Sequence, residues 1–189
     1  MHIIGHLWMP VLVATVVCFI LSALFWMIAP HHKGEWQEAP DAENLRKLLR
    51  AAGAKPGAYT FPHMSEYDRK DKNTSAEKMK QWAEGPSGVM YIVPQGPMNM
   101  GAMMGKQFAF FLLINALLGL ITAHILLLGA EPMRVAKFIG AIAFMTYGLG
   151  SIPDSIWFGR PWRNMTGQIV DAAIYAAATA AVFGSLWPH

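Results

Sequence analysis

Cysteine is almost missing from these 189 residues: Cys18 stands alone, so no disulfide and no paired-thiol metal site can form within the chain. Charge is scarce as well. Charged residues make up 14% of the chain, against roughly a quarter in soluble domains. What charge there is lies bunched: 11 of the 15 Lys and Arg residues and 9 of the 12 acids fall between Lys33 and Lys106. The remaining stretches are nearly free of it.

Catalytic signatures are also lacking. There is no Ser–His–Asp spacing and no HExxH pair, and Gly96, Gly101 and Gly105 come without the Lys and Ser/Thr of a phosphate loop. Nothing pairs a nucleophile with a base, which speaks against a hydrolase and favours a non-enzymatic role. The formal net charge of +3 does not point to nucleic acid, because the basic residues alternate with acids, as in Glu66, Asp68, Arg69, Lys70, Asp71 and Lys72. Such alternation reads as a solvated face.

What the chain does have is long apolar runs. Residues 7–29, 107–128, 135–152 and 167–187 approach or exceed the roughly 20 residues needed to cross a hydrocarbon core. No Lys or Arg precedes Leu7, and the first run is longer than the usual signal-peptide core of roughly 7–15 residues. It is expected to stay as a helix, with Pro10 in its opening turn where a missing N–H costs little. Trp8, Trp26, Trp157, Trp162 and Trp187 fall near the run ends, as in an interfacial belt. In the fourth run Ala172, Ala176 and Ala180 form one stripe of small residues and Ala173, Ala177 and Ala181 the next, which predicts close packing on both flanks. The expected fold is an all-α membrane protein with four transmembrane helices. A small α+β extramembrane domain, residues 30–106, is inserted between the first two.

That insertion reads as two helix–strand units. Asp41 caps a helix ending near Ala52 and Gly53, with Leu45, Leu48 and Leu49 as its apolar stripe, and a short strand follows at 58–61. Thr74 or Ser75 is the expected cap of a second helix stopped by Gly85-Pro86, and residues 89–93 are the second strand.

His31, His32, Glu35 and Trp36, followed by Pro56-Gly57, Tyr59, Phe61 and Pro62, resemble a family of bacterial inner-membrane proteins of unassigned role. The Trp157-Phe158-Gly159 turn and the closing segment 183–188 add to the likeness. The resemblance implies a bacterial membrane protein and no site.

Lys33, Lys106, Arg160 and Arg163 flank the end of the spans that carries the insertion, whereas Arg134 and Lys137 flank the other. The positive-inside bias then makes the insertion cytoplasmic and puts both termini on the opposite side of the inner membrane.

Ionisable residues inside a span are costly to bury without a partner, so His124 and Asp171 are the candidates for function. At 1.5 Å per residue, His124 lies about 25 Å from the insertion side and Asp171 about 6–8 Å, which excludes a direct relay between them. Asp171 is expected in a polar network with Gln168, Tyr175, Asp154, Arg160, Arg163 and Lys106, either an anchor for the turn between the last two helices or a substrate or proton site. His124 shares its end with His6, Glu131 and His189, and either bonds a neighbouring helix or ligates haem or a pigment. His31-His32 reads as interfacial anchoring, with metal binding as the alternative. Met98, Met100, Met103 and Met104 read as gap-filling rather than a copper site, since thioethers here come without cysteine.

Three roles fit these features. The first is a non-catalytic accessory subunit, packed against other subunits of a larger, energy-converting membrane complex and the lipid bilayer. The second is a small transporter or ion-handling protein using Asp171 with Arg160 or Arg163. The third is a haem- or pigment-associated subunit using His124. No cofactor is named by the sequence itself, and nucleic acid is not an expected partner.

Overall fold

The computed structural model describes residues 3–188, with side chains from Gly5 onward. The chain is mostly helical, and four of its helical stretches are long and apolar enough to cross a membrane: Gly5–Met27, Met100–Ile125, Pro132–Trp157 and Trp162–Leu186. Two compact units emerge. One holds these helices up to Ser155 in the third, with the turn after the first, and the other comprises Gln37–Pro97 and Ile156–Gly159.

In the first unit, α1 (Ile3–Met27) ends in a short 3-10 turn at Pro30–His32. The main helix pairings are antiparallel. Along α1 and α8 (Trp162–Leu186), Cys18 meets Tyr175 and Thr179, while Leu7 shares a cluster with Phe183 and Trp187. Along α1 and α5 (Met100–Ile125), Phe19 meets Phe108 edge-on and Asn115 faces Thr15. The closest pairing joins α6 (Pro132–Gly148) to α8, and small residues make it possible. A Cβ on Gly148 would lie 3.0 Å from that of Ala172, one on Gly140 3.2 Å from Ala180, and one on Gly184 3.0 Å from Ala136. Backbones this near can exchange dispersion along their whole length. Of the two alanine stripes, the first packs inward and the second, Ala173, Ala177 and Ala181, faces outward.

The second unit contains α2 (Ala42–Ala51), β1 (Gly57–Phe61), α3 (Glu66–Lys70), α4 (Lys72–Glu84) and β2 (Gly88–Ile92). The strands pair antiparallel, with Tyr59 opposite Met90. Asp41 caps α2 through the Asn44 N–H, as its sequence position suggests. Neither Thr74 nor Ser75 caps the next long helix: Asp71 does, accepting from the Asn73 N–H, and the Thr74 hydroxyl donates to the same carboxylate. The capping box of Ser65 and Asp68 also starts a short extra helix, α3, that hydrophobic patterning cannot reveal.

Helix bounds shift where polar residues continue a span. α8 starts at Trp162 rather than 167, and α5 at Met100 rather than 107. The third run continues from α6 through a 3-10 turn at Leu149–Ser151 into α7 (Ile152–Trp157).

Candidate functional site

Helix α8 presents Asn164, Gly167 and Asp171 on one face, three and four residues apart. The 30–35 turn lies along this face and is fastened to it. The Arg163 guanidinium donates to the Lys33 carbonyl at 3.1 Å, and the Asn164 amide donates to the Glu35 carbonyl at 3.3 Å. Gly167 leaves the space that the turn occupies. A Cβ there would fall 2.9 Å from Glu35 Oε1 and 3.6 Å from His32 Nδ1.

The result is a continuous cluster of four ionisable side chains. His31 Nε2 lies 2.7 Å from Asp171 Oδ1, and His32 Nε2 lies 2.8 Å from Asp171 Oδ2. On its other nitrogen, His32 Nδ1 lies 2.7 Å from Glu35 Oε1. The side chains of His32, Glu35 and Asp171 are 4%, 1% and 8% exposed, whereas that of His31 is 28% exposed. His31 is therefore the edge that water reaches. Aromatic rings hold both imidazoles: Trp26 stacks on His32 at 4.3 Å, nearly parallel, and Phe25 meets His31 edge-on at 5.6 Å.

Electrostatics follow from this placement. Burial disfavours a charged His32, but hydrogen bonds to Asp171 and Glu35, with the charges of both carboxylates, outweigh it and raise the imidazole above its ordinary value. One nitrogen each from His31 and His32 and one oxygen from Asp171 lie within 4.8 Å of one another, a spacing that could hold a metal ion.

From Asp171 a chain of buried polar groups runs along the bundle. Tyr175, one turn on, packs against Phe25 and Phe111 and faces Ser22. The Cys18 thiol reaches the Tyr175 carbonyl at 3.9 Å and lies 3.4 Å from the Thr179 hydroxyl. The Tyr147 hydroxyl faces Thr179, Cys18 and Asn115. The Asn115 amide donates to the Phe111 carbonyl at 2.9 Å, with Thr15 at 3.5 Å. Two members, the Tyr147 hydroxyl and Asn115 Oδ1, are buried without a hydrogen-bond partner among the described residues. Beyond Thr15 the interior is closed by Leu7, Leu126, Val135, Ile139, Phe183 and Trp187, and the buried Thr122 hydroxyl is spent on the Leu118 carbonyl of its own helix.

The residues expected around Asp171 are distributed differently. Both of its oxygens are taken by histidines, so Arg160 donates to Gln168 Oε1 at 3.1 Å and Arg163 to the Lys33 backbone. Asp154 and Lys106 are exposed and form no ion pair among the described residues. Tyr175 is buried beside Asp171. His124 and His6 are exposed, and His124 bonds the Leu120 carbonyl of its own helix at 2.7 Å rather than a neighbouring helix. Trp187 donates to the Leu127 carbonyl near His124, which puts that histidine about 24 Å along the axis from Asp171. His189 lies outside the described residues. Met98, Met100, Met103 and Met104 are all exposed rather than filling gaps.

The pairing of His31 and His32 with Asp171 escapes a reading by sequence, although two signals were there. Asn164, Gly167 and Asp171 share a helix face, and His32 stands three residues before Glu35, the spacing of a single turn. No protein-family model, curated protein or solved structure matches the chain.

Proposed function

We propose that the chain is a small ion-handling protein of a bacterial inner membrane, with Asp171 as the group that takes the ion. The observation behind this reading is the run of buried polar groups from Asp171 past Tyr175, Cys18, Thr179 and Tyr147 to Asn115 and Thr15. Polar groups are expensive in a membrane interior, and apolar side chains of equal size would pack the same helices at less cost. An ion arriving past His31 meets Asp171 first and the polar column next. The apolar plug then stops it, so the path is wet at one end and shut at the other.

The Asp171 end is flanked by Lys33, Lys106, Arg160 and Arg163, and the far end by Arg134 and Lys137. On the positive-inside bias, Asp171 and the inserted segment Gln37–Pro97 face the cytoplasm and both termini face outward.

Reconstitution tests the reading. Wild-type protein in liposomes moves a cation down an imposed gradient, and Asp171→Asn abolishes that movement while the protein stays folded. Equal flux through Asp171→Asn, or loss of folded protein with no flux in the wild type, would make the cluster a structural clamp.

A second reading, an accessory subunit of a larger membrane complex, draws on the outward stripe of Ala173, Ala177, Ala181 and Ser185 on α8. Small residues at this spacing admit another helix backbone closely. Purification in mild detergent would bring down a stoichiometric membrane partner, and Ala177→Leu would release it. An isolated chain that resists pairing counts against this role.

A further inference from the structure

The His32 ring poses a donor problem. Both of its nitrogens face carboxylate oxygens, Asp171 Oδ2 at 2.8 Å and Glu35 Oε1 at 2.7 Å. A neutral imidazole carries a single N–H and can satisfy one of them. A second positive centre must stand between His32 and a carboxylate: either an added proton or a metal cation.

Arg163 and Arg160 are engaged elsewhere, because they donate to the Lys33 carbonyl and to Gln168. A dication placed among His31, His32 and Asp171 balances the charges of Asp171 and Glu35 and leaves both imidazoles neutral, as metal ligation requires. Buried charge is tolerated when it is matched in this way.

Resting on the ion-handling reading, we infer that His31 Nε2, His32 Nε2 and Asp171 form a three-ligand site for a divalent transition-metal ion of the zinc class, with Glu35 as the positioning residue of His32. Two imidazole nitrogens and one carboxylate oxygen, with a fourth position open, are the donor set of an exchangeable zinc site rather than a closed structural one. The three donor atoms already lie within 4.8 Å of one another. Bonds of roughly 2.0–2.1 Å in tetrahedral geometry need donors about 3.3 Å apart. His31 and His32 meet different oxygens of Asp171, so the contact to the oxygen that binds, 2.7 or 2.8 Å, opens by about half an ångström to admit the ion.

The outer groups are those a metal site needs. Glu35 accepts from His32 Nδ1–H, which fixes the tautomer and leaves the Nε2 lone pair for the metal. Glu35 is itself held by the Asn164 amide on its carbonyl and by the close approach over Gly167. Stacking of Trp26 on His32 and the edge contact of Phe25 with His31 fix the ring planes. Access is from His31, the partly exposed member.

The test uses the full chain in detergent, carrying an affinity tag without histidine and stripped by a chelator. Titration with Co²⁺ gives a visible ligand-field band that saturates at one equivalent per chain, and Zn²⁺ displaces it. His31→Ala, chosen because His31 is the partly exposed member of the cluster, and Asp171→Asn each lower affinity at least tenfold. Glu35→Gln keeps one equivalent but weakens binding roughly 10- to 100-fold, the usual effect of losing an outer-shell partner. In wild type the unfolding temperature rises with added Zn²⁺, and in folded His31→Ala it does not.

Absence of a Co²⁺ band in folded wild type, or wild-type affinity in folded His31→Ala and Asp171→Asn, overturns the site. One equivalent of bound Co²⁺ with no flux in liposomes upholds the site and removes the transport reading. Flux of a monovalent cation without Co²⁺ binding does the reverse.

Discussion

His32 Nε2 stands 2.8 Å from Asp171 Oδ2, although 139 positions separate the two residues in sequence. The contact joins the turn that leaves α1 to the first half of α8. With His31 on the other oxygen, it converts a lone carboxylate on an apolar helix into the centre of a buried network. Four outcomes follow from that arrangement and from the elements around it.

Gly167→Ala should damage the site without touching a titratable group. The new methyl would sit 2.9 Å from Glu35 Oε1, so either the carboxylate or the turn must move. Forcing a methyl into a packed interior costs about 1–3 kcal/mol. Thermal unfolding in detergent would show the loss. Gly105→Ala on α5 is the control, because nothing lies within 4 Å of that position. Its stability should hold or rise, since alanine is the better helix former by about 0.5–1 kcal/mol.

Tyr147→Phe separates function from stability. Its hydroxyl is buried with no hydrogen-bond partner among the described residues, so removing it costs no bond and relieves an unmet desolvation penalty. Stability should be unchanged or higher, by up to about 1–3 kcal/mol. The ion-handling reading adds that flux falls, because the hydroxyl belongs to the polar column facing Thr179, Cys18 and Asn115. Normal flux in a stabilised variant would cut Tyr147 out of the path.

The second unit has its own pH response. Asp68 is held below the usual carboxylate range by the backbone N–H and then the hydroxyl of Ser65, and Asp71 by the Thr74 hydroxyl and then the Asn73 N–H. A carboxylate lowered by folding stabilises the native state above its unfolded value and loses that contribution as pH falls through the folded one. Hydrogen exchange of the first-turn amides of α3 and α4 should therefore quicken below about pH 4, relative to intrinsic rates. Ser65→Ala loses the hydroxyl but keeps the backbone N–H, so it should weaken the response in α3 without removing it and leave α4 unchanged.

The sequence made the apolar architecture legible because hydropathy needs only composition and length. Four spans, the Asp41 cap and both strands can be found in this way. The capping of α4 could not, because Asp71, Thr74 and Ser75 are all good cap residues and the competition is settled by which carboxylate reaches the free N–H groups. The site was harder still. Asp171 stood out as a buried acid, but charge alone pointed to Arg160 and Arg163, and hydropathy started the last helix five residues late. With α8 beginning at Trp162, Asp171 lies about 13 Å along the helix, far enough for the turn after α1 to cover it. His31 and His32 read as anchors because nothing local shows that a helix 140 residues away will lie beneath them.

The most direct test of the cluster is a double-mutant cycle on metal-stripped protein, with His32→Ala, Asp171→Ala and the pair measured by equilibrium unfolding in detergent. If Asp171 is held by His32 as described, the two changes are coupled by about 0.5–3 kcal/mol. Additivity within about 0.3–0.5 kcal/mol would mean that the two side chains do not meet, and the site would be lost with them.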